Sequence, residues 1–170
     1  PGLGGHCIPL DPYYLGWKAR EFGFHTSMIE ASMMVNDRMP EYTVERAGKI
    51  LNRYRKALNG AKVLILGVAY KQDIDDCRES PAIRVIEEFK RFGAEISFYD
   101  PYIAAYREKG ETVEGLKTLD TETLRRFDLV CITTGHTNVD YDMVAHAGIP
   151  VFDTRNVTKN VKNRENIELL

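Results

Sequence analysis

The chain has 170 residues, of which 44% are hydrophobic and 28% are charged, a composition typical of a globular protein with a substantial core. Its net charge is −2 and no block of one sign occurs, so the sequence predicts neither a nucleic-acid-binding protein nor one that binds a membrane. Three widely spaced cysteines argue against a disulfide framework and against a metal site, and they favour a reducing cytoplasm.

The first third of the chain predicts helices. Asp11 followed by Pro12 predicts a helix start, with Asp11 as the N-cap, and Gly23 predicts the helix end. From residue 27 to 55 most residues favour helix, but Pro40 predicts a break within this stretch. We therefore expect a short helix and then a long broken one.

From residue 58 onward, short apolar runs alternate with helix-forming stretches. Ser80 followed by Pro81 predicts a helix whose apolar residues lie on one face. This alternation predicts right-handed crossovers and a Rossmann-like α/β fold, a parallel sheet with helices on both faces. Strands are predicted at 61–67, 95–100, 128–134 and 150–154, with a weaker one within 112–119, and helices at 80–93, 102–109, 121–127, 139–147 and 162–170.

The stretch 4–11, GGHCIPLD, places Cys7 four residues before Asp11, beside a glycine-rich loop. Gly4 and Gly5 allow a ligand to approach the backbone, and a cysteine at such a loop favours a nucleophile. The N-terminus of the following helix favours the thiolate form of Cys7, or an oxyanion formed from it. Two alternatives stay open, since Cys7 can be a small packing residue and Asp11 only a helix cap.

The segment 1–15, PGLGGHCIPLDPYYL, resembles the catalytic-cysteine segment of the UDP-glucose/GDP-mannose dehydrogenase family, most closely the branch that oxidises UDP-N-acetylhexosamines. The resemblance implies that Cys7 adds to a C6 aldehyde, that the thiohemiacetal is oxidised to a thioester, and that water cleaves the thioester. It implies proton handling or water activation for Asp11. Leu10 stands where the UDP-glucose branch has lysine, which favours an N-acetylhexosamine over glucose.

A second cluster of candidate residues follows the first predicted strand, at a strand end where open parallel sheets bind ligands. The stretch GVAYKQDIDDCRESPA lacks the GxGxxG fingerprint of dinucleotide binding and instead resembles the nucleotide-sugar-binding loop of the same family. The resemblance implies that Lys71 meets the UDP portion, with Tyr70 near the ligand. For the charged residues that follow, a loop network that braces itself is at least as well supported. These residues are Asp73, Asp76 and Arg78.

A third candidate follows the last buried strand, in VFDTRN. Arg155 suits a diphosphate because its planar guanidinium donates two parallel hydrogen bonds, and the matching family arginine binds the nucleotide sugar. Asp153 is expected to orient that arginine or its loop. His136, which follows another strand, is expected at most to line the crevice. No set of residues has the spacing of a metal site.

In the family the cysteine segment follows a complete NAD-binding domain, so we expect this chain to be the carboxy-terminal portion of a longer NAD-dependent enzyme. Residues 1–57 are expected to supply the cysteine loop and part of the central dimerisation domain, with a homodimer formed through the long helix. Residues 58–170 are expected to bind the UDP-sugar. NAD is expected to be bound mainly by the domain outside this chain. Two alternatives remain: a non-catalytic Rossmann-like module, and a conventional NAD domain with Asp100 as the ribose acid.

Overall fold

The protein is described here by a computed structural model that covers residues 1–170. A layer of parallel strands lies between helices, and two helices precede it in the chain. The elements are α1 Asp11–Arg20, α2 Ser27–Arg53, β1 Lys62–Leu66, α3 Pro81–Arg91, β2 Glu95–Tyr99, β3 Ala105–Glu108, β4 Glu111–Glu114, α4 Thr121–Leu124, β5 Leu129–Ile132, α5 Tyr141–His146, β6 Val151–Asp153, a 3-10 helix Val157–Asn160, and β7 Ile167–Leu169.

The central sheet has five strands in the order β2-β1-β5-β6-β7, and every neighbouring pair is parallel. Its strands are apolar because both faces are covered, as in β5, where all four residues are buried. The predicted parallel sheet with helices on both faces is confirmed. The strand order reverses between β1 and β5, which opens a crevice at their carboxyl ends.

Two apolar clusters lie on opposite faces of the sheet, because side chains alternate along β1. Val63 and Ile65 belong to a cluster that also contains residues of α2 and α3, whereas Leu64 and Leu66 belong to one with α4 and α5. The predicted start of α3 is confirmed. Ser80 is its N-cap and accepts a hydrogen bond from the Ala82 N–H, and its apolar face is buried.

Two predicted helices are wrong. Residues 102–109 contain no helix but β3, which pairs with β4 as an antiparallel hairpin. Lys109 and Gly110 turn the hairpin with φ of 50° and 90°, and this turn outweighs the helix propensity of the preceding residues. Residues 162–170 contain β7 instead of a helix, because the open edge of β6 offers backbone partners to this segment.

The predicted break in the long helix is also wrong, since α2 is continuous from Ser27 to Arg53 with Pro40 inside it. Pro40 has no N–H to donate to the Asn36 carbonyl, but packing on its carboxyl side stabilises the helix. The packed residues are Val44, Ala47, Ile50 and Leu51 of the first cluster. None of the helices has both the length and the apolar character needed to span a bilayer.

Candidate functional site

The loops that follow β1 and β5 contact each other directly at the carboxyl edge of the sheet. The Thr133 hydroxyl donates to the Gly67 carbonyl at 2.5 Å, and the Thr134 hydroxyl donates to the Ala69 carbonyl at 2.6 Å. Gly67 has φ of 87°, and a Cβ there would clash with the Thr134 backbone. The loops after β1 and β5 therefore pack tightly against each other at the bottom of the crevice.

The glycine-rich segment at the start of the chain packs on the loop after β1. A Cβ added to Gly4 would lie 2.5 Å from the Glu79 carbonyl, and one added to Gly5 would lie 3.1 Å from the Tyr70 ring. Pro1 is buried and lies near Arg155. The structure thus brings together three segments that the sequence analysis selected separately.

Cys7 is the exposed cysteine of the three. The N–H groups of Leu10 and Asp11 donate to the Cys7 carbonyl at 3.0 and 2.8 Å. These N–H groups at the start of α1 are therefore bound to the backbone of the cysteine itself and are not free to donate to an oxyanion. The partial positive charge of the helix N-terminus still lies beside the segment.

Asp11 is the first residue of α1 and not its N-cap. The N-cap position is held by Leu10, and no side chain caps this helix end. The prediction of Asp11 as an N-cap is wrong because the cap conformation lies one residue earlier than the Asp-Pro pair indicates. The Asp11 carboxylate is exposed and accepts no intramolecular hydrogen bond.

Lys71 and Arg155, the two predicted cationic ligands of the diphosphate, are exposed, and neither forms an ion pair. The backbone N–H of Arg155 donates to Asp153 at 2.9 Å, and the same carboxylate accepts from Thr158, so Asp153 orients this loop as predicted. Beside Arg155 lies a cavity of about 430 Å³, lined by residues 153–156, Leu169 and Leu170.

The charged residues after Lys71 brace the loop, which agrees with one of the two alternatives left open for them. Arg78 donates to both carboxylate oxygens of Asp76, and these hydrogen bonds lower the pKa of Asp76 to about 2. Asp73 accepts from the N–H and hydroxyl of Thr137 at 2.8 and 3.0 Å. Hydrogen bonds from Thr137 are the largest cause of a lowered pKa at Asp73. The loop after β1 is thereby joined to the loop after β5.

A buried polar centre, unrecognised in the sequence, lies beneath these loops. The Asp100 carboxylate accepts from the backbone N–H groups of residues 68, 69, 102 and 103 and contacts His136 Nε2 at 3.0 Å. Burial alone would raise the pKa of Asp100, but these hydrogen bonds outweigh it and hold the pKa below its usual value. The signal in the sequence was positional, since Asp100 ends β2 beside β1.

This centre corrects two expectations. His136 does not merely line the crevice, because its ring is completely buried. Asp100 is not available as a ribose acid, because its side chain is fully buried and bound within the protein. The turn after β1 lacks the glycine fingerprint, and the buried residues Val68, Ala69 and Asp100 occupy the place where a dinucleotide would bind. These residues therefore do not fit a conventional dinucleotide site.

The other two cysteines lie in surroundings that disfavour a thiolate. Burial raises the pKa of Cys131 to about 12, and burial followed by the charge of Asp76 raises the pKa of Cys77. No three His, Cys, Asp or Glu side chains come together as a metal site. Cys7 is therefore the cysteine of this chain whose side chain is exposed and is not held in the thiol form by burial.

Two segments of the chain match described protein families. Residues 64–160 match the UDP binding domain of the UDP-glucose/GDP-mannose dehydrogenase family, and residues 1–38 match the central domain of the same family. The first match alone covers more than half of the 170 residues.

Relatives of known name agree with these matches. Protein CapL of Staphylococcus aureus is 35% identical over 164 residues, covering 92% of this chain and 38% of CapL. The UDP-N-acetyl-D-mannosamine dehydrogenase of Methanocaldococcus jannaschii is 31% identical over 164 residues, covering 96% of this chain and 33% of that protein. The solved UDP-D-ManNAc dehydrogenase of Pyrococcus horikoshii has a TM-score of 0.81 at 26% identity, covering 99% of this chain and 38% of that one. The chain thus spans less than two fifths of the length of these relatives.

Proposed function

Because the chain belongs to the UDP-glucose/GDP-mannose dehydrogenase family, we propose that it supplies the nucleophile and the UDP-sugar site of an NAD-dependent UDP-sugar 6-dehydrogenase. The substrate is a UDP-N-acetylhexosamine, whose C6 alcohol becomes a carboxylate in two hydride transfers. Relatives named as UDP-N-acetyl-D-mannosamine and UDP-N-acetyl-D-glucosamine dehydrogenases support this substrate class, as does Leu10 beside Asp11.

One observation carries the proposal: an exposed thiol lies on a segment that packs against the loop carrying a free cation. Gly5, two residues before Cys7, faces the ring of Tyr70 so closely that a Cβ there would lie 3.1 Å from it, and Tyr70 directly precedes Lys71. Lys71 and Arg155 have no protein partner for their charges, which suits side chains reserved for an anionic ligand. A nucleotide diphosphate supplies such an anion, and the attached sugar extends toward the thiol.

The chain's own residues perform the covalent steps. The Cys7 thiolate attacks the C6 aldehyde carbon, a C–S bond forms, and the carbonyl oxygen takes up a proton. After oxidation to the thioester, water attacks the same carbon and the thiolate leaves. Asp11, exposed one helical turn after Cys7, handles the proton of that water. The residues of this chain do not fit NAD, and we assign its binding to a domain outside the chain.

We propose a homodimer through the long helix and a boundary between the central domain and the UDP-binding domain near residue 57. The support is the unpartnered apolar surface of the first two helices, whereas the carboxyl half of α2 packs in the first cluster. We also place the protein in the cytoplasm, where thiols stay reduced. The exposed apolar residues of this surface are Tyr13, Tyr14, Leu15, Trp17, Phe22, Phe24, Met28, Met34 and Val35.

Alkylation and calorimetry test the proposed site. Cys7 should react with iodoacetamide at least about tenfold faster than Cys77 or Cys131, because Cys7 is exposed, whereas burial raises the pKa of the half-buried Cys77 and of the buried Cys131. A UDP-sugar should change the Cys7 rate, and mass spectrometry of the labelled peptides measures all three sites at once. Titration calorimetry should detect UDP but not NAD⁺, and Lys71→Gln with Arg155→Gln should abolish the UDP heat.

The controls separate the enzyme from a non-catalytic module. Lys117→Gln removes an exposed lysine far along the chain from all candidate residues and should leave the UDP heat unchanged. Mixing the chain with NAD⁺ and UDP-sugars should form no NADH. Equal, ligand-insensitive alkylation of all three cysteines would favour the module, and NADH formation by the chain would contradict the assignment of NAD to another domain.

A further inference from the structure

The backbone just before Lys71 is fixed by a buried carboxylate. The N–H groups of Val68 and Ala69 donate to the same oxygen of Asp100, at 2.7 and 3.0 Å. Asp100 follows β2, the strand beside β1, so its position relative to this backbone is set by the sheet. The amino side of the Tyr70–Lys71 pair therefore has a rigid attachment.

The backbone just after Lys71 is fixed by His136. The Asp73 N–H donates to His136 Nδ1 at 3.0 Å. Because an amide N–H can only donate, Nδ1 is an acceptor, and the ring proton lies on Nε2. His136 Nε2 then donates to the same Asp100 oxygen at 3.0 Å, which joins the two attachments. Both side chains are 0% exposed.

Residues 68–73 thus form a short loop whose two ends are held by one buried pair, while Lys71 between them is exposed and unpaired. We propose, on the basis of the UDP-binding function proposed above, that Asp100 and His136 are positioning residues. They hold this loop in the conformation in which Lys71 meets the diphosphate. Without them the loop is ordered only on binding, and the entropy of that ordering lowers the affinity for nucleotide.

Stabilisation of the fold does not by itself explain why Asp100 and His136 are buried as a pair. Buried polar pairs of this kind are weak sources of net stability compared with apolar residues of the same size. Every hydrogen-bonding atom of the two side chains is directed to the loops after β1, β2 and β5. The hydrogen bonds of the pair therefore fix the geometry of these loops.

A double-mutant cycle on UDP affinity tests the inference, using titration calorimetry on the chain. His136→Phe should weaken UDP binding about tenfold when Lys71 is present. In the Lys71→Gln background the same change should weaken binding less than about twofold, because the side chain that it positions is gone. A merely structural role would give equal losses in both backgrounds, and that result would overturn the inference.

Two conservative variants keep the test decisive if His136→Phe does not fold. In His136→Asn the amide oxygen can still accept from the Asp73 N–H, so affinity should stay within about threefold of the unmodified chain. In His136→Gln the amide can reach Asp100 but not Asp73, so affinity should fall about tenfold. Equal affinities of the two variants would contradict the clamp on Asp73.

The matched control is Tyr141→Phe, which removes a hydroxyl that donates to the His136 carbonyl at 3.0 Å but forms no hydrogen bond to residues 68–73. Its UDP affinity should be unchanged, and a loss equal to that of His136→Phe would overturn the inference. Failure of the unmodified chain to bind UDP would instead refute the proposed function itself, so the two failures are distinguishable.

Discussion

The helices α1 and α3 have nearly the same length, 10 and 11 residues, but use their apolar side chains in opposite ways. α3 buries one complete face in the first cluster, whereas α1 buries only Gly16 and leaves Trp17 65% exposed. The residues on the buried face of α3 are Ala82, Val85, Ile86 and Phe89.

The two helices differ in the kind of contact that holds them to the rest of the chain. α3 and the sheet bury each other's apolar surface, so this region carries its own stability. α1 is attached mainly by surface polar contacts, such as the Tyr13 hydroxyl to Asp37 at 2.8 Å and Arg20 to Glu30 at 2.9 Å, which contribute little. Its aromatic side chains stay exposed because no element of the sheet packs on them.

The largest expected effect comes from removing an apolar side chain from each helix in turn. Phe89→Ala should lower the free energy of unfolding by about 3–5 kcal/mol, because it leaves a cavity in the first cluster. Trp17→Ala should change it by less than about 0.5 kcal/mol in the monomeric chain, because the side chain is exposed. Urea unfolding followed by circular dichroism measures both, and similar losses would show that α1 is packed as tightly as α3.

A smaller effect is expected from two glycines that share a left-handed backbone but differ in their surroundings. Gly67→Ala should destabilise the chain by about 2–4 kcal/mol, because the new Cβ meets the Thr134 backbone. Gly110→Ala, at the tip of the hairpin with no atom within 4 Å, should lose only about 1 kcal/mol. Thermal unfolding measures the stability of the two variants. Equal losses of stability would contradict the close approach of the loops after β1 and β5.

The smallest effect concerns acid stability. The folded-state pKa of Asp100 is lowered, so its contribution to stability is present above the usual value of 3.8 and is lost as the pH falls through the lowered value. Asp100→Asn should lower the free energy of unfolding by about 1–3 kcal/mol near neutral pH, since hydrogen bonds to a charged group are lost. Denaturant titrations should show this difference shrinking below about pH 4. A constant difference at every pH would show that Asp100 does not titrate on unfolding.

The sequence predicted the elements whose physics is local or strongly periodic. The Ser80-Pro81 start of α3 and the apolar run of β1 were correct, because a cap and a buried strand leave short-range patterns. β3 and β7 were mistaken for helices, because their structure depends on partners distant in sequence or on a two-residue turn. α2 continued through Pro40 because tertiary packing overrides a local breaker.

The candidate site also divides into residues that a local motif reveals and residues that only the tertiary structure brings together. Cys7, Lys71 and Arg155 stood out because motifs surround them, and the structure leaves all three exposed. The Asp100–His136 pair escaped recognition because its members are 36 residues apart and meet only through the strand order β2-β1-β5. Hydrogen bonds that arise from topology have no signature in a single sequence.

Pro40 also affects how easily the long helix α2 bends. The Asn36 carbonyl receives no hydrogen bond from residue 40, so bending α2 there costs less than bending it elsewhere. The Asn36 side chain accepts the Leu3 N–H at 2.7 Å and lies one turn before the proline, whereas Gly5 rests on the Tyr70 ring of the sheet domain. The segment that carries Cys7 is therefore attached on one side to the half of α2 that precedes Pro40 and on the other side to the loop after β1.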